Sequence, residues 1–375
     1  MSELSTIESM ATTMTATMRA VAVTPMRAGS ARQVELPIPT VARGTAVMRV
    51  LEVGIDGTDT EINGGLYGEA PPGSDFLVIG HEALSVIEAV GEGVSGFTPG
   101  DLVVSTVRRP DDCPNCRAGE SDMCLFGRYT ERGIKGAHGY MGEYYAEAPA
   151  FMLKIPPVLR PFAVLLEPLS IVEKATYQAW KIQERMVWEP KRAVVLGAGP
   201  IGILCTILLR LRGLEVHVYA KAPPDTLQGR ILRDLGASYA SVVDHPVTGI
   251  KDELGQIDFM LEGTGNSTVA FEAMAQLGIN GVLCLTGVSG GSSSIEIPAD
   301  VINLQMVLGN RLAFGSVNAN RRYFEMGVQH FQQAERQWPG IFERLITRRV
   351  PFDEFMSALD RRPEDIKTLL TIAAA

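Results

Sequence analysis

A strand, a glycine-rich turn and a helix follow one another just past the middle of the chain, and this succession constrains the fold most. The apolar run RAVVL precedes Gly197-x-Gly199-x-x-Gly202, and the helical sequence IGILCTILLRL overlaps its end. Gly197 permits a tight turn, Gly199 lets the backbone approach a pyrophosphate, and Gly202 allows close packing of the helix on the strand. Pro200 and Ile201 open the helix, whose free N–H groups bind phosphate. The sequence therefore predicts a parallel sheet that binds a dinucleotide.

The strand after this turn indicates which dinucleotide the site prefers. Sites for NAD place Asp or Glu on the ribose diol about 20 residues further on. Here the strand LEVHVYAK ends at Tyr219-Ala220-Lys221 and carries no acid at its end. Lys221 suits a ribose 2′-phosphate, so the sequence favours NADP. Asp225 could instead fold back onto the ribose, which leaves NAD as an alternative cofactor.

Apolar patterning divides the 375 residues into two domains, as expected when single cores seldom exceed about 250–300 residues. Residues 18–186 hold short strand-like runs between Gly/Pro turns and predict a partly barrel-like, antiparallel domain. Residues 187–319 alternate strands with helices, which is typical of a doubly wound parallel sheet in an α/β protein. Residues 320–375 return to the first domain with helices and a final strand. Residues 1–17 are polar and rich in Thr and Met, and they predict a disordered extension.

Charge and cysteine usage exclude several classes of protein. A net charge of -9 argues against nucleic-acid binding, which requires a basic face. The longest apolar region is broken by Gly and Pro and carries Arg210, so no membrane span is expected. The N-terminal residues lack the features of a signal peptide. Cys113, Cys116 and Cys124 lie within twelve residues, which indicates a metal-binding lobe in a reducing, cytoplasmic compartment.

A second constellation surrounds Gly80-His81-Glu82. His81 stands where the apolar run FLVIG ends, so its imidazole can project from a strand end into a cleft. A lone histidine at such a place is more often a satisfied core or surface residue. Asp56 in GIDGTD and Glu167 in LLEPLS, however, complete a set of one imidazole and three carboxylates that suits a metal ion.

The pattern around this histidine resembles that of the zinc-dependent medium-chain dehydrogenases. GHE is followed by Gly91, Gly93, Gly96 and Gly100 and then by Asp101 before an apolar strand. Within that family the chain is most similar to the microbial glucose (aldose) dehydrogenases, through GTDTEINGG, LLEPLSIVEKA and GSVNANRRYFE. The resemblance implies a GroES-like catalytic domain joined to a Rossmann domain. It further implies a sugar substrate and a homo-oligomer, either a dimer or a tetramer.

The activity implied by the resemblance is oxidation of an aldose at C1 to the aldonolactone, with NAD(P)⁺ as the hydride acceptor and Thr58 as a proton relay. A dehydrogenase of another polyol or amino alcohol, such as sorbitol or threonine, is an alternative of the same class. An alternative of another class is a metal-binding or regulatory protein that kept the fold and lost turnover. The intact GHE, Thr58 and GAGPIG argue against this last reading.

Two zinc sites are implied by the resemblance, and this sequence departs from the family at both. At the catalytic site a Cys is usual where Asp56 stands, so the implied ligands are Asp56, His81, Glu82 and Glu167. Loss of the Cys could also mean loss of the metal, but the retained GHE and Glu167 argue against that. The structural site usually has four cysteines. Here three remain with the family spacing, Cys113-x2-Cys116-x7-Cys124. Either Asp111 or Asp112 supplies the fourth ligand, or the lobe is metal-free.

The remaining site residues are also implied by the resemblance alone. Val288, Val317 and Asn318 would contact the cofactor, and Thr58, Glu131, Glu167 and Asn318 would contact the sugar. Carboxylate and amide groups suit vicinal hydroxyls because they accept and donate hydrogen bonds in pairs. Ile171 stands where relatives can carry Asp, which removes one polar sugar contact and leaves the preferred aldose open.

Overall fold

The computed structural model describes residues 16–288, 290, 292 and 294–373. The strands of the described part are β1 Thr17–Val23, β2 Arg32–Pro37, β3 Ala46–Ile55, β4 Leu77–Val78, β5 Glu82–Val90, β6 Leu102–Ser105, β7 Arg108–Arg109, β8 Thr130–Arg132, β9 Gly136–Ala137, β10 Tyr144–Glu147, β11 Met152–Lys154, β12 Arg192–Leu196, β13 Glu215–Ala220, β14 Ser238–Ser241, β15 Phe259–Glu262, β16 Val282–Leu285, β17 Leu312–Gly315, β18 Ile346–Pro351 and β19 Lys367–Thr371. The helices are α1 Gly57–Asn63, α2 Pro114–Arg117, α3 Leu166–Gln183, α4 Pro200–Leu211, α5 Leu227–Asp234, α6 Ile250–Leu254, α7 Ser267–Gln276, α8 Ala299–Leu308, α9 Arg321–Gln337 and α10 Phe355–Leu359. None of these helices is long and apolar enough to cross a membrane.

The first domain is built on a seven-stranded sheet with β3 at its centre. The strand order is β11-β6-β5-β3-β19-β18, and β10 also pairs with β3. Strand β3 pairs antiparallel with β5, β10 and β19. The last strand of the chain is therefore inserted beside β3, which places the C-terminal residues next to the start of β5.

The second domain contains six parallel strands in the order β14-β13-β12-β15-β16-β17. Numbered by appearance within the domain this order is 3-2-1-4-5-6, the doubly wound arrangement of dinucleotide-binding sheets. The central strands are buried along their length, in keeping with the continuous apolar run RAVVL. The predicted α/β class with a Rossmann sheet is confirmed.

Helix α3 connects the two sheets and packs against α9 and α4. One apolar core runs through these helices from the first domain to the second, so the two sheets are held across a shared helical layer. The predicted extension, residues 1–17, lies outside the described residues except for Ala16 and Thr17. Thr17 already pairs with Pro37 in the first strand, so the prediction of disorder was wrong for that residue, which backbone hydrogen bonds to β2 hold in place.

Candidate active site

A cleft of about 530 Å³ lies between the two domains and takes its walls from both. The predicted site residues that line it are Asp56, Thr58, His81, Glu82, Glu131, Glu167, Gly199, Pro200, Ile201, Gly202, Val288, Val317 and Asn318. Gly197, Lys221 and the cysteine-rich lobe are not part of its lining. Groups from separate parts of the sequence therefore meet in one cleft, which is the usual place for a substrate and a cofactor.

Three predicted metal ligands, Asp56, His81 and Glu82, converge at one end of the cleft and are called the donor set below. One ligand atom of each lies within 4.8 Å of the others. Asp56 caps the N-terminus of α1 and accepts a hydrogen bond from the Asp59 N–H at 3.2 Å. His81 follows Gly80, whose φ of 87° is a backbone conformation adopted chiefly by glycine. His81 Nε2 lies 3.5 Å from Asp56 Oδ2. Glu82 opens β5.

Asp59 supports the donor set from behind, and the sequence analysis did not single it out. Its carboxylate is fully buried and accepts a hydrogen bond from the Gly80 N–H at 3.1 Å. Its Oδ1 lies 3.9 Å from His81 Nδ1, the ring nitrogen that faces away from Asp56. At this distance the two atoms form no hydrogen bond, and His81 Nδ1 is buried without a hydrogen-bond partner among the described residues. Asp59 therefore acts on the imidazole through its charge. The second Asp of GIDGTD was the available sequence signal.

The chemistry of the donor set fits a divalent cation. Burial alone would lower the pKa of His81, but the carboxylates of Asp56 and Asp59 raise it well above its usual value. Burial raises the pKa of Glu82. Several buried acids around one imidazole form an excess of negative charge that a cation relieves, and mixed nitrogen and oxygen donors suit zinc.

Glu167, the fourth predicted ligand, lies in the first turn of α3 and lines the same cleft. It is not among the three residues whose ligand atoms approach within 4.8 Å of one another. Burial raises its pKa to about 8. A role for Glu167 at the metal or at the sugar therefore stays a prediction.

A buried lysine, Lys367, contacts the donor set and was not anticipated from the sequence. Its Nζ forms an ion pair with Glu82 Oε2, and both side chains are 1% exposed. Lys367 is the first residue of β19. The glycine at position 54 on β3 makes space for the ion pair, because a Cβ there would overlap Glu82 Oε2. Burial lowers the pKa of Lys367, but the carboxylates of Glu82, Asp56 and Glu167 together outweigh this and raise it. Only the pairing of β19 with β3 reveals the contact.

Thr58, the predicted proton relay, lies in the first turn of α1 on the cleft wall. Tyr67 lines the same wall of the cleft. The Tyr67 hydroxyl donates to Glu61 Oε2 at 2.8 Å. Thr58, Tyr67 and Glu61 all line the cleft, so hydroxyl groups lead from the donor set to a carboxylate.

The glycine turn has the close approaches that its sequence predicts. Gly197 has a φ of 109°, and its N–H donates to the Tyr219 carbonyl on the neighbouring strand at 2.8 Å. A Cβ on Gly202 would overlap the Gly197 carbonyl oxygen, so a larger residue would push α4 off the strand. The space around Gly199 is open at the N-terminus of α4. The turn therefore offers free backbone N–H groups to a phosphate.

Lys221 lies immediately after β13 with its side chain exposed. Strands β12 and β13 are parallel neighbours, and Leu196 is paired with Tyr219 at the same sheet edge as the glycine turn. The carboxyl ends of such strands are where the ribose of a dinucleotide binds. The position of Lys221 is therefore compatible with its predicted contact to a 2′-phosphate.

The two predicted sugar-binding residues contact each other across the domain boundary. Asn318 Nδ2 donates to Glu131 Oε1 at 2.7 Å. Arg108, which the sequence analysis did not identify, also donates to Glu131 Oε1 through Nε at 3.0 Å and Nη2 at 2.9 Å. The guanidinium lies over the Tyr129 ring, with Cζ 3.7 Å from the centroid. All three donors bond to Oε1, and among the described residues no protein donor bonds to Oε2 of the same carboxylate.

The cysteine lobe, residues 111–124, gathers a second set of metal-ligating atoms. Asp111, Cys113, Cys116 and Cys124 each place one such atom within 4.8 Å of the others. The Cys124 thiol lies 3.0 Å from Asp111 Oδ2 and 4.0 Å from the Cys113 sulfur. Of the two candidate acids, Asp111 therefore joins the cysteines, whereas Asp112 pairs with Arg128 on the surface.

Comparison with known proteins agrees with this geometry. The family described as "Glucose dehydrogenase C-terminus" matches residues 160–372, and "Alcohol dehydrogenase GroES-like domain" matches residues 42–157. A glucose 1-dehydrogenase of Methanocella arvoryzae is 46% identical over 95% of this chain and 100% of its own length. A structure of Haloferax mediterranei glucose dehydrogenase in complex with NADP, Zn and gluconolactone has a TM-score of 0.88 at 33% identity, covering 96% of this chain and 100% of that one.

The chain therefore belongs to the glucose dehydrogenases, within the zinc-dependent medium-chain dehydrogenase family. The matches confirm the predicted combination of a GroES-like domain with a Rossmann domain. They cover nearly the full length of the relatives, so the resemblance extends to both domains and to the cleft between them.

Proposed function

We propose that this chain is a zinc-dependent glucose 1-dehydrogenase that oxidises D-glucose at C1 to gluconolactone and transfers the hydride to NADP⁺. One observation carries the proposal. The donor set, the Glu131–Asn318 pair and the glycine turn line or adjoin a single cleft, in a chain similar along its length to glucose 1-dehydrogenases. The cleft can thus hold the sugar and the nicotinamide against each other, which hydride transfer requires.

Asp56, His81 and Glu82 would hold the catalytic zinc, with Glu167 proposed as the fourth protein group. When bound, zinc stabilises negative charge on the C1 oxygen of the sugar and so favours loss of its proton. Glu82 also pairs with Lys367, so its carboxylate would be shared between the cation and the ammonium group. Asp59 acts on the imidazole of His81 through its charge.

Thr58 is proposed to receive the C1 hydroxyl proton and to pass it on towards the nicotinamide ribose and solvent. Tyr67, on the same wall of the cleft, donates to Glu61 and offers a second route for the proton. A hydroxyl group suits a relay because it donates one proton while it accepts another. Thr58→Val, which keeps the shape, is expected to lower kcat without raising the dissociation constant of NADP.

Glu131 and Asn318 are proposed to bind the sugar hydroxyls. Arg108 holds Glu131 by one oxygen, so the carboxylate presents Oε2 as an acceptor for a sugar O–H. Ile171 offers an aliphatic side chain to the same cleft. The substrate test is a panel of D-glucose, D-galactose and D-xylose against sorbitol and threonine, each with NADP and with NAD. Turnover of sorbitol or threonine in preference to every aldose would overturn the proposal.

Lys221 is proposed to bind the 2′-phosphate and so to favour NADP over NAD. Lys221→Ala should raise the Michaelis constant for NADP by about tenfold or more, because one charge-assisted contact is worth roughly 1.5–3 kcal/mol. The Michaelis constant for NAD should change little. Lys221→Arg is the matched control, since it keeps the cation. Equal changes for the two cofactors would show that Lys221 does not contact the phosphate.

A homo-oligomer is proposed from the surface of α8. This helix has no buried residue in the single chain, and it exposes Val301, Leu304, Val307 and Leu308 by 49–73%. It precedes β17, which is an edge strand of the parallel sheet. A second copy of the chain would cover this apolar face. Leu304→Glu should dissociate the oligomer in light scattering, whereas Val187→Glu, at another exposed apolar site, should not; a monomeric parent protein would contradict the proposal.

A cytoplasmic location is also proposed. It rests on the three clustered cysteines, which are arranged with an acid as a metal site and are free thiols in this structure. Fractionation of the native host should recover the protein and its activity with the cytoplasm.

A further inference from the structure

The segment of residues 317–320 joins β17 to α9 and carries two of the predicted cleft residues, Val317 and Asn318. Asn318 has a φ of 59°, a left-handed conformation that is uncommon for residues other than glycine. Such a conformation persists when neighbouring contacts hold the backbone in place. The contacts that do so come from the first domain.

The buried ion pair of Asp122 and Lys174 forms hydrogen bonds with this segment on both sides of Asn318. Asp122 Oδ2 lies 2.7 Å from Lys174 Nζ, and their side chains are 0% and 2% exposed. Lys174 Nζ also donates to the Val317 carbonyl at 2.8 Å. On the other side, Asn320 Nδ2 donates to Asp122 Oδ1 at 2.8 Å. One carboxylate thus holds the segment directly at one end and through the lysine at the other.

Asp122 belongs to the cysteine lobe, between the second and third cysteines. Glu120 of the same lobe accepts a further hydrogen bond from Asn320 at 2.7 Å. A second route also reaches the lobe, because Arg108 bonds Glu131 and donates to the Ser121 carbonyl at 3.4 Å. Both anchors of Asn318, its backbone and its side chain, therefore lead to residues 120–122.

A buried ion pair could serve stability alone, but the further bonds of this pair point to positioning. If the pair served stability alone, its remaining hydrogen bonds could go to any neighbouring polar group. Here the additional bonds of the two side chains reach Val317 and Asn320, which flank the residue that meets Glu131. A small displacement of Asn318 would alter its contact with a sugar hydroxyl and the shape of the nicotinamide pocket.

We propose that Asp122 is a positioning residue through which the cysteine lobe sets the affinity of the cleft for the sugar and for NADP. The sugar half of this inference rests on the proposed function, whereas the cofactor half does not need it. The lobe is thereby a determinant of binding in the cleft, in addition to any metal that it holds.

Asp122→Asn tests the inference, because it removes the charge while keeping an oxygen that can accept from Asn320. The Michaelis constant for glucose should rise about tenfold and the dissociation constant of NADPH, measured by fluorescence, should rise several-fold. kcat should stay within about threefold of the parent, since no reacting group is altered. Glu184→Gln is the matched control: it removes the acid partner of Lys181 at the exposed C-terminal end of α3, the helix that carries Lys174, and both constants should stay at the parent values.

Asn320→Asp is the second variant, and it decides the matter if Asp122→Asn fails to fold. It keeps the oxygen that caps α9 but sets a third carboxylate against Glu120 and Asp122, so the same two constants should rise. Unchanged constants in a folded variant, or equal changes in Glu184→Gln, would overturn the inference. NADPH binding requires no sugar, so a parent enzyme inactive on glucose would refute the proposed function and leave this test intact.

Discussion

The donor set and the cysteine lobe are two metal-ligating clusters with opposite designs. The donor set combines one imidazole with carboxylates, lies in a cleft and shares Glu82 with a buried lysine. The lobe combines three thiols with Asp111 within a short stretch of chain. Thiolates hold zinc firmly, whereas carboxylates also suit harder ions and exchange more readily. The difference fits a site that must accept substrate beside one that must keep its shape.

The largest effect should come from Asp56→Ala, which removes an acid from the donor set. Turnover should fall by about three orders of magnitude, because the cation contributes several kcal/mol of charge stabilisation and each 1.36 kcal/mol is tenfold in rate. Zinc content should fall from two per chain to one. Loss of the helix cap should cost about 1 kcal/mol of stability without unfolding the protein.

Asp56→Cys is the matched control for this change. It restores the thiolate that is usual in the family, so it should retain zinc at least as firmly as the parent. Metal analysis after gel filtration measures both variants. An Asp56→Ala protein that holds two zinc ions as tightly as the parent would remove Asp56 from the donor set.

The next effect concerns Lys367, the feature that most distinguishes the donor set from the lobe. Lys367→Met should lower the free energy of unfolding of the metal-free protein by about 3 kcal/mol or more, because it leaves the buried Glu82 without its partner. Zinc should offset part of this loss, since a cation also balances Glu82. Urea unfolding with zinc and with chelator measures the difference.

Lys367→Arg keeps the positive charge and serves as the control for substitution at this buried position in Lys367→Met. Equal destabilisation of Lys367→Met in the presence and absence of zinc would show that Glu82 and the metal are not coupled.

These two clusters also differ in how far the sequence predicts them. The ligands of the lobe lie close together in the sequence, so the spacing of its three cysteines predicts the site. Only the structure shows that Asp111, rather than Asp112, joins the cysteines. The donor set depends on strand pairing. His81 and Glu82 were found through their motif, but Lys367 reaches Glu82 because the last strand is inserted beside β3. A lysine at the first position of a strand carries no local sign of such a contact.

The same reasoning applies to the fold and to the sugar site. The glycine turn and the alternation of strands and helices predict the parallel sheet, since both are local patterns. The meeting of Glu131, Arg108 and Asn318 is not a local pattern, because it joins residues that lie on two domains. Glu131 and Asn318 were proposed by resemblance, and no role was predicted for Arg108 because an arginine in a strand is usually exposed.

Cys116→Ser tests the structural half of the comparison. Thermal stability should fall, by about 2 kcal/mol or more, because structural zinc contributes folding energy directly. One zinc per chain should remain. kcat per folded molecule should change little, although the Michaelis constant for glucose should rise if the lobe positions Asn318. Loss of turnover at full stability would mean that the lobe, rather than the donor set, serves the chemistry. Cys205→Ser, at a buried cysteine outside the lobe, is the control for loss of a thiol and should keep two zinc ions.

The smallest effect is a difference between the rates at which a mild chelator removes the two bound zinc ions. The donor set is rich in carboxylates, which exchange a metal ion more readily than thiolates do, so it should release its zinc readily. A chelator should therefore remove the first zinc equivalent about tenfold faster than the second, and activity should fall with the first. Manganese or cobalt added afterwards should restore part of the activity, because carboxylates also suit these ions. A coloured chelator records each equivalent while a parallel assay records turnover. If the slow equivalent were the one that carries activity, the assignment of the labile, oxygen-rich site to the cleft and the firm, sulfur-rich site to the lobe would have to be reversed.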